Sequence, residues 1–307
     1  MAIQHPTFNI QHNSNKTVIV IAGPTAIGKT QVAIKLAKDF KTEIISADSR
    51  QCYREMNIGV ARPSEEELKE VKHHFIASHS IQDTVNAGTF EKYALEITKQ
   101  LFKDHDVLIM AGGTGLYIQA FCEGMDEIPN VPLNIRKQIE SKYREEGLEW
   151  LQKEVQKKDP EFFTAGEIKN PRRLMRALEV SEATGQSIMS FRKGKKQKRE
   201  FNIIKIGLQL PKEELHDNIN KRVDKMISDG LVDEVKPLIS YKHLSALQTP
   251  GYKEIIEYLD KKISFEEAIE LIKRNTRQFA KRQLTWFTKE KEINWFLLQR
   301  LKRLKGL

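Results

Sequence analysis

One run of eight residues carries the plainest chemistry in the chain. Gly23-Pro24-Thr25-Ala26-Ile27-Gly28-Lys29-Thr30 fits the pattern G-x-x-x-x-G-K-S/T, and it stands between the β-branched run TVIVIA (17–22) and a helical pattern. A strand before and a helix after are the context the pattern requires. Its glycines let backbone N–H groups turn inward around phosphate oxygens, and the helix start adds the positive end of its dipole. Lys29 brings a cation to the terminal phosphates, and Thr30 offers a hydroxyl to Mg²⁺. The spacing predicts a bound di- or triphosphate group. It does not say which molecule carries it.

The acid that usually accompanies such a cradle at the end of a second apolar strand is missing here. The apolar stretch DVLIMA (106–111) runs instead into Gly112-Gly113-Thr114-Gly115. Glycines there would let backbone approach a ligand, and Thr114 could donate to a phosphate oxygen. An acid stands earlier, after TEIIS (42–46), in Ala47-Asp48-Ser49-Arg50-Gln51. Parallel sheets bind ligands beyond the carboxyl ends of their strands, so the cradle, Asp48 and Thr114 are expected to share one crevice. Two roles are open to Asp48: a turn-forming or capping acid, or a proton acceptor or metal ligand beside the cradle. Arg222 flanks the seam Leu215, Ile219, Val223 and Met226, a place where a surface arginine is common.

These residues need a scaffold, and the pattern around them supplies one. Strands are expected at 17–22, 42–46, 74–78 and 106–111, with helices at 30–40 and 89–102. Such alternation predicts an α/β fold, a P-loop NTPase-like parallel sheet with helices on both faces. From 123 to 191 only helices are expected, at 133–145, 148–158 and 172–183, broken or started by Pro129, Pro132, Pro160 and Pro171. RKGKKQKRE (192–200) is too charged to pack and reads as a mobile loop. NIIKIGLQL (202–210) returns to strand, and the remainder reads as helix. The expected organisation is a core of residues 1–122 and 192–307, interrupted by an all-helical insertion at 123–191.

At 307 residues the chain has room for one large α/β domain and a smaller unit. Two cysteines, Cys52 and Cys122, cannot build a disulfide framework or a cysteine-rich zinc site. No apolar run approaches the roughly 20 residues a membrane span needs, and residues 1–15 show no leader pattern. A cytoplasmic protein without a membrane partner is expected. The formal charge of +9 is one-sided, because residues 191–307 hold the whole surplus. Such a bias points to a polyanion such as nucleic acid, or to a solvated lysine-rich surface.

Taken together, these stretches resemble the tRNA dimethylallyltransferase (IPP transferase) family. The matching segments are IAGPTAIGKT (21–30), ISADSRQCY (45–53), NIGVARP (57–63), AGGTGLYIQA (111–120), NPRRLMRALEV (170–180), NKRVDKMISDGLVDEV (220–235), TPGYKE (249–254) and TRQFAKRQLTWF (276–287). Cys52, Val60 and the FIAS after His73-His74 depart from the family's usual residues. The resemblance implies transfer of a dimethylallyl group from dimethylallyl diphosphate to the exocyclic amine of the adenosine 3′ of a tRNA anticodon. It implies Asp48 as general base, Thr114 and Arg222 against charge on the leaving oxygen, and Gly23 to Thr30 with Mg²⁺ on Thr30 at the diphosphate. It also implies tRNA contacts from Asp48, Ser49, Arg50, Gln51 and Thr114, from Arg136 and Arg172, Arg173, Leu174, Met175 and Arg176, and from Gln248, Thr249, Pro250, Gly251, Tyr252 and Lys253. A monomer is expected. Lys273, Arg277 and Lys281 form a second basic stripe, while Trp286, Phe287 and Trp295 read as core. The rival reading is a nucleotide or small-molecule kinase on the same P-loop core.

Overall fold

A computed structural model describes residues 15–194 and 196–298; residues 1–14 of the segment 1–15 read for a leader pattern, Lys195 of the basic loop and residues 299–307 of the remainder read as helix lie outside the described residues. Contacts divide the chain into an α/β unit that reaches Glu123 and resumes at Lys198, and a helical unit, Gly124–Gln197. In chain order the first unit opens with β1 (Thr17–Ala22), α1 (Lys29–Asp39), β2 (Ile44–Ser46), α2 (Glu65–Glu70), β3 (His73–His74), α3 (Ala87–Leu101), β4 (Val107–Gly112) and α4 (Gly115–Glu123). The helical unit holds α5 (Leu133–Lys158), α6 (Pro160–Ala165), α7 (Pro171–Thr184) and α8 (Ile188–Phe191). The first unit then closes with β5 (Asn202–Gln209), α9 (Lys212–Ser228), α10 (Leu231–Val235), α11 (Tyr252–Leu259), α12 (Phe265–Phe287) and β6 (Asn294–Leu297).

The six strands form one sheet in the order β3-β2-β4-β1-β5-β6, every neighbouring pair parallel. β1 is central, aligned Thr17 to Val107 on one side and Thr17 to Asn202 on the other. Side chains alternate across a strand, and β1 shows the result. Val18, Val20 and Ala22 enter the core cluster built with Phe90, Phe121 and Leu108. Ile19 and Ile21 enter the opposite cluster with Val32, Ala33 and Ile219. A sheet apolar on both faces needs helices on both, so the β-branched run of β1 is its own architectural signal.

Several elements differ from the sequence pattern for identifiable reasons. The strand expected at 74–78 is only His73–His74, because Phe75 and Ala77 take positive φ of 64° and 47° and turn the backbone off the ladder. The sixth strand, β6, lies in a region read as helical and pairs with Ile206 to Gln209 of β5. Gly147, at φ 78° and ψ −163°, breaks α5 where two helices were expected. The described part of the basic stretch 192–200 has no regular structure and is mostly exposed, as a loop would be, but its Arg199 packs. Arg199 is buried, donating to the carbonyls of Phe121 and Ala120 and pairing with Glu91 at 2.7 Å. Earlier in that stretch, Arg192 lies over the Phe162 ring and the Gly194 N–H donates to Asp126, both within the helical unit. Charge alone therefore misreads Arg199, since carbonyl and carboxylate partners satisfy the buried guanidinium. Among the described residues, no helix is long and apolar enough to cross a membrane.

Candidate active site

The chain leaves β1 at Ala22 and enters α1 at Lys29, and the turn between them is the expected phosphate cradle. Gly28 caps α1 in the left-handed region at φ 92°, which a side chain would resist. The first N–H groups of α1 and its dipole therefore open onto the crevice beyond the strands. A cavity of about 810 Å³ lies there, lined by Thr25 to Thr30, Asp48, Arg50, Gln51 and Arg222 among others.

Lys29 is half-buried at its surface but sits deep among protein atoms. Burial pulls its ammonium pKa down to about 7, against the opposing pull of Asp48 and with help from the like charges of Arg222 and Arg50. Its Nζ meanwhile donates to the Pro24 carbonyl at 2.7 Å. The Arg222 guanidinium is pushed below its ordinary range, first by burial and then by Arg50, with Asp48 acting the other way. Its Nη1 donates to Thr25 Oγ1 at 3.2 Å, so Arg222 reaches the cradle instead of lying on the outer surface. Three cations thus crowd the cradle beside the Asp48 carboxylate. Such a cleft is short of negative charge.

Asp48 fills the first of the two roles open to it and leaves one oxygen for the second. Its Oδ1 accepts from the N–H groups of Arg50 at 2.9 Å and Gln51 at 3.3 Å, holding the turn after β2. Its Oδ2 has no hydrogen-bond partner among the described residues, and Asp48 lines the cavity. Fixing one oxygen aims the other, which suits a proton acceptor. Gln51 braces the opposite rim, its Nε2 donating to the carbonyls of Val60 and Ala61. That rim is held from behind: the Glu234 carboxylate accepts the N–H groups of Asn57, Ile58 and Gly59, and the Tyr252 hydroxyl as well.

The Gly112 to Gly115 turn meets its expectation only in part. Gly112 lines the cavity, and the glycines also make room for protein. A Cβ on Gly112 would meet the Ala47 carbonyl oxygen at 2.1 Å, and one on Gly115 the Trp286 ring at 2.2 Å. Thr114 Oγ1 accepts from the Ser49 N–H at 3.0 Å and donates to Ser49 Oγ at 3.2 Å. Thr114 does not line the cavity; it locks the Asp48 turn from behind. A residue that sequence reasoning passed over completes this wall. Gln283, buried on α12, accepts from the Thr25 N–H and donates to the Gly113 carbonyl, both at 2.8 Å. Only its place within TRQFAKRQLTWF could have drawn attention to it.

Other expected contacts sort by burial. Leu174 and Tyr252 are fully buried, so neither side chain can meet an RNA directly. Leu174 packs in the helical unit's core, and Tyr252 is occupied by Glu234. Gly251 is buried too, whereas Gln248 and Lys253 are exposed and Thr249 and Pro250 half-buried. On α7, Arg172 is exposed, Arg173 pairs with Glu167, and Arg176 pairs with the buried Glu179, as does Arg136. Met175 is half-buried beside them. Two members of the second basic stripe have partners, Lys273 on Asp224 at 2.9 Å and Arg277 on Asn220 at 2.7 Å, while Lys281 is exposed. Phe287 is core as expected, but Trp286 is 40% exposed. It borders a separate cavity of about 290 Å³. There Lys205 sits among Glu123, Glu290 and Glu292, its ammonium filling the place between the carboxylates.

Fold and cradle together define a P-loop α/β protein. Residues 51–290 match the family described as IPP transferase. The chain is 50% identical to a tRNA dimethylallyltransferase of Christiangramia forsetii over 91% of its own length and 92% of the relative's. It is 45% identical to tRNA dimethylallyltransferase 1 of Bacteroides thetaiotaomicron, covering 91% of each. Among solved structures it is similar to the tRNA isopentenylpyrophosphate transferase of Bacillus halodurans, with a TM-score of 0.66, 35% identity and coverage of 92% and 90%. A eukaryotic dimethylallyltransferase acting on tRNA superposes with a TM-score of 0.76 at 26% identity, covering 92% of this chain and 74% of the other. The chain belongs to the IPP transferase family.

Proposed function

We propose that this protein transfers a dimethylallyl group from dimethylallyl diphosphate to the exocyclic amine of the adenosine 3′-adjacent to a tRNA anticodon, releasing pyrophosphate. The observation that carries the reading is the cradle itself: Lys29, Arg50 and Arg222 gathered at one cavity with the aimed carboxylate of Asp48. In the transfer, the bond from the allylic carbon to the bridging oxygen breaks and its electron pair stays with pyrophosphate. A bond from the amine nitrogen to that carbon forms, and the amine proton passes to Asp48. The amine is a weak nucleophile because its lone pair is shared with the ring. Catalysis therefore rests on stabilising the leaving group and accepting the proton. Lys29, the P-loop N–H groups and Arg222 do the first, each such donor being worth on the order of a hundredfold in rate.

The residues present also fit Mg²⁺. Thr30 lines the cavity, and its hydroxyl has no hydrogen-bond partner among the described residues. A hard cation takes oxygen ligands of this kind together with diphosphate oxygens. Bound there, Mg²⁺ supplies neutralisation of diphosphate charge. The acid group around Lys205 is not that site, since an ammonium already holds it.

For tRNA, the supporting features are Arg50 at the cavity and the arginines of the helical unit. Glu179 holds both Arg136 and Arg176, so one carboxylate orders two guanidiniums and leaves a positive surplus for phosphate. The test incubates the protein with Mg²⁺, dimethylallyl diphosphate and bulk tRNA, and seeks a prenylated adenosine by mass spectrometry. Turnover of ATP without RNA, and no prenylated product, would instead favour a kinase.

A further inference from the structure

Gln283 is a buried amide with a donor-only partner on one side and an acceptor-only partner on the other. Its Oε1 takes the N–H of Thr25 in the phosphate cradle, and its Nε2 gives to the carbonyl of Gly113 in the turn before α4. No other side chain of its size satisfies both: a carboxylate would face the Gly113 carbonyl with like charge, and an aliphatic chain would leave two buried polar groups unpaired. Space has been made for it. A Cβ on Gly113 would lie 2.3 Å from Gln283 Nε2, with no other atom closer than 3.4 Å. The helix that carries it is anchored on both sides, for Ala280 packs in one core cluster and Phe287 in the other.

The two partners belong to the two halves of the site. Thr25 also receives Arg222 on its hydroxyl, so Gln283 and Arg222 together fix the cradle residue that each touches. Gly113 precedes Thr114, which bonds Ser49 beside Asp48. The path Thr25–Gln283–Gly113–Thr114–Ser49 therefore sets the distance from diphosphate cradle to proton acceptor. We infer that Gln283 is a positioning residue for the transfer reaction, holding the leaving-group cradle in register with Asp48. The inference rests on the function proposed above. A displacement of about 1 Å in such a register can lower a rate a hundredfold without touching substrate.

Gln283→Leu should cut kcat about 30- to 100-fold while the KM for tRNA stays within threefold and the circular dichroism spectrum is unchanged. Gln283→Glu keeps the shape, and once protonated it can again donate to Gly113; its kcat at saturating donor, divided by that of wild type at the same pH, should rise toward acid pH. Gly113→Ala should show a defect like that of Gln283→Ala, and the double variant should be no worse than Gln283→Ala, because the clash disappears with the amide. Normal kcat in a folded Gln283→Leu, no acid recovery in Gln283→Glu, or multiplied defects in the double variant would each overturn the inference. Should Leu fail to fold, the isosteric Glu variant and the Gly113 pair still decide. Absence of prenylated product from wild type would remove the reading of function itself, a result distinct from all of these.

Discussion

Lys29 should gain a proton when a diphosphate enters the cradle. In the free protein its pKa is held near 7, chiefly by burial and then by Arg222 and Arg50. An anion beside the ammonium reverses that balance and restores at least the ordinary 10.5. At pH 8.5 the free lysine is then almost wholly neutral and the bound one charged, an uptake of about one proton per ligand. At pH 6 both states are charged and uptake falls to roughly a tenth. The dissociation constant consequently weakens about 50-fold from pH 7 to 9, approaching tenfold per unit at the top of that range. Stability of the free protein has the matching sign. Between pH 7 and 10.5 the unfolded chain binds more protons at this site than the folded one, so this group's destabilising contribution is full below 7 and fades as pH rises.

Calorimetry of pyrophosphate with Mg²⁺, in two buffers of different ionisation enthalpy, counts the protons directly. Protons exchanged by the ligand itself are common to wild type and to Lys29→Arg, whose guanidinium does not titrate in this range. The difference between them isolates Lys29. Equal proton counts at pH 8.5 would refute the reasoning, because they would mean that burial and neighbouring cations leave Lys29 charged before the anion arrives. A larger uptake in wild type that shrinks in Arg50→Gln would identify the neighbour's share.

Three further outcomes follow from named contacts. Asp48→Asn should leave pyrophosphate and tRNA binding within a fewfold and lower single-turnover prenylation by on the order of a hundredfold or more, since an amide cannot take the proton. Affinity for an anticodon stem-loop should fall steeply with salt, near −0.9 in log–log slope per duplex phosphate met; reversing Arg172, Arg173 and Arg176 to glutamate should flatten that slope in a filter assay, with dichroism confirming the fold. Lys205→Met should destabilise by about 3–5 kcal/mol, because it strands Glu123, Glu290 and Glu292 around a buried position; on this size of chain that is a thermal midpoint lower by roughly 5–8 °C, and an unchanged midpoint would show the cluster to be solvated.

What the sequence made legible, and what it hid, divides along a physical line. β1, the cradle and α1 follow from local pattern: β-branched residues buried on both faces, then glycine spacing, then helical period. β6 was hidden because Asn294–Leu297 has no alternation of its own and becomes a strand only by pairing with β5. The same holds for side chains. Lys29 and Asp48 announce chemistry by residue type, and spacing places them at one crevice. Thr114 was placed there too, and what the sequence did not show is that its hydroxyl bonds Ser49, a partner 65 residues away in sequence. Gln283 was missed because a glutamine on an amphipathic helix has no signature; its meaning lies in a contact to Thr25, 258 residues away. Residues proposed to meet substrate are therefore the readable ones, since their chemistry is intrinsic. Residues that aim them are readable only through the fold, and Gly113 shows why a sequence can still mark them: the absent side chain at one position is the space that another position requires.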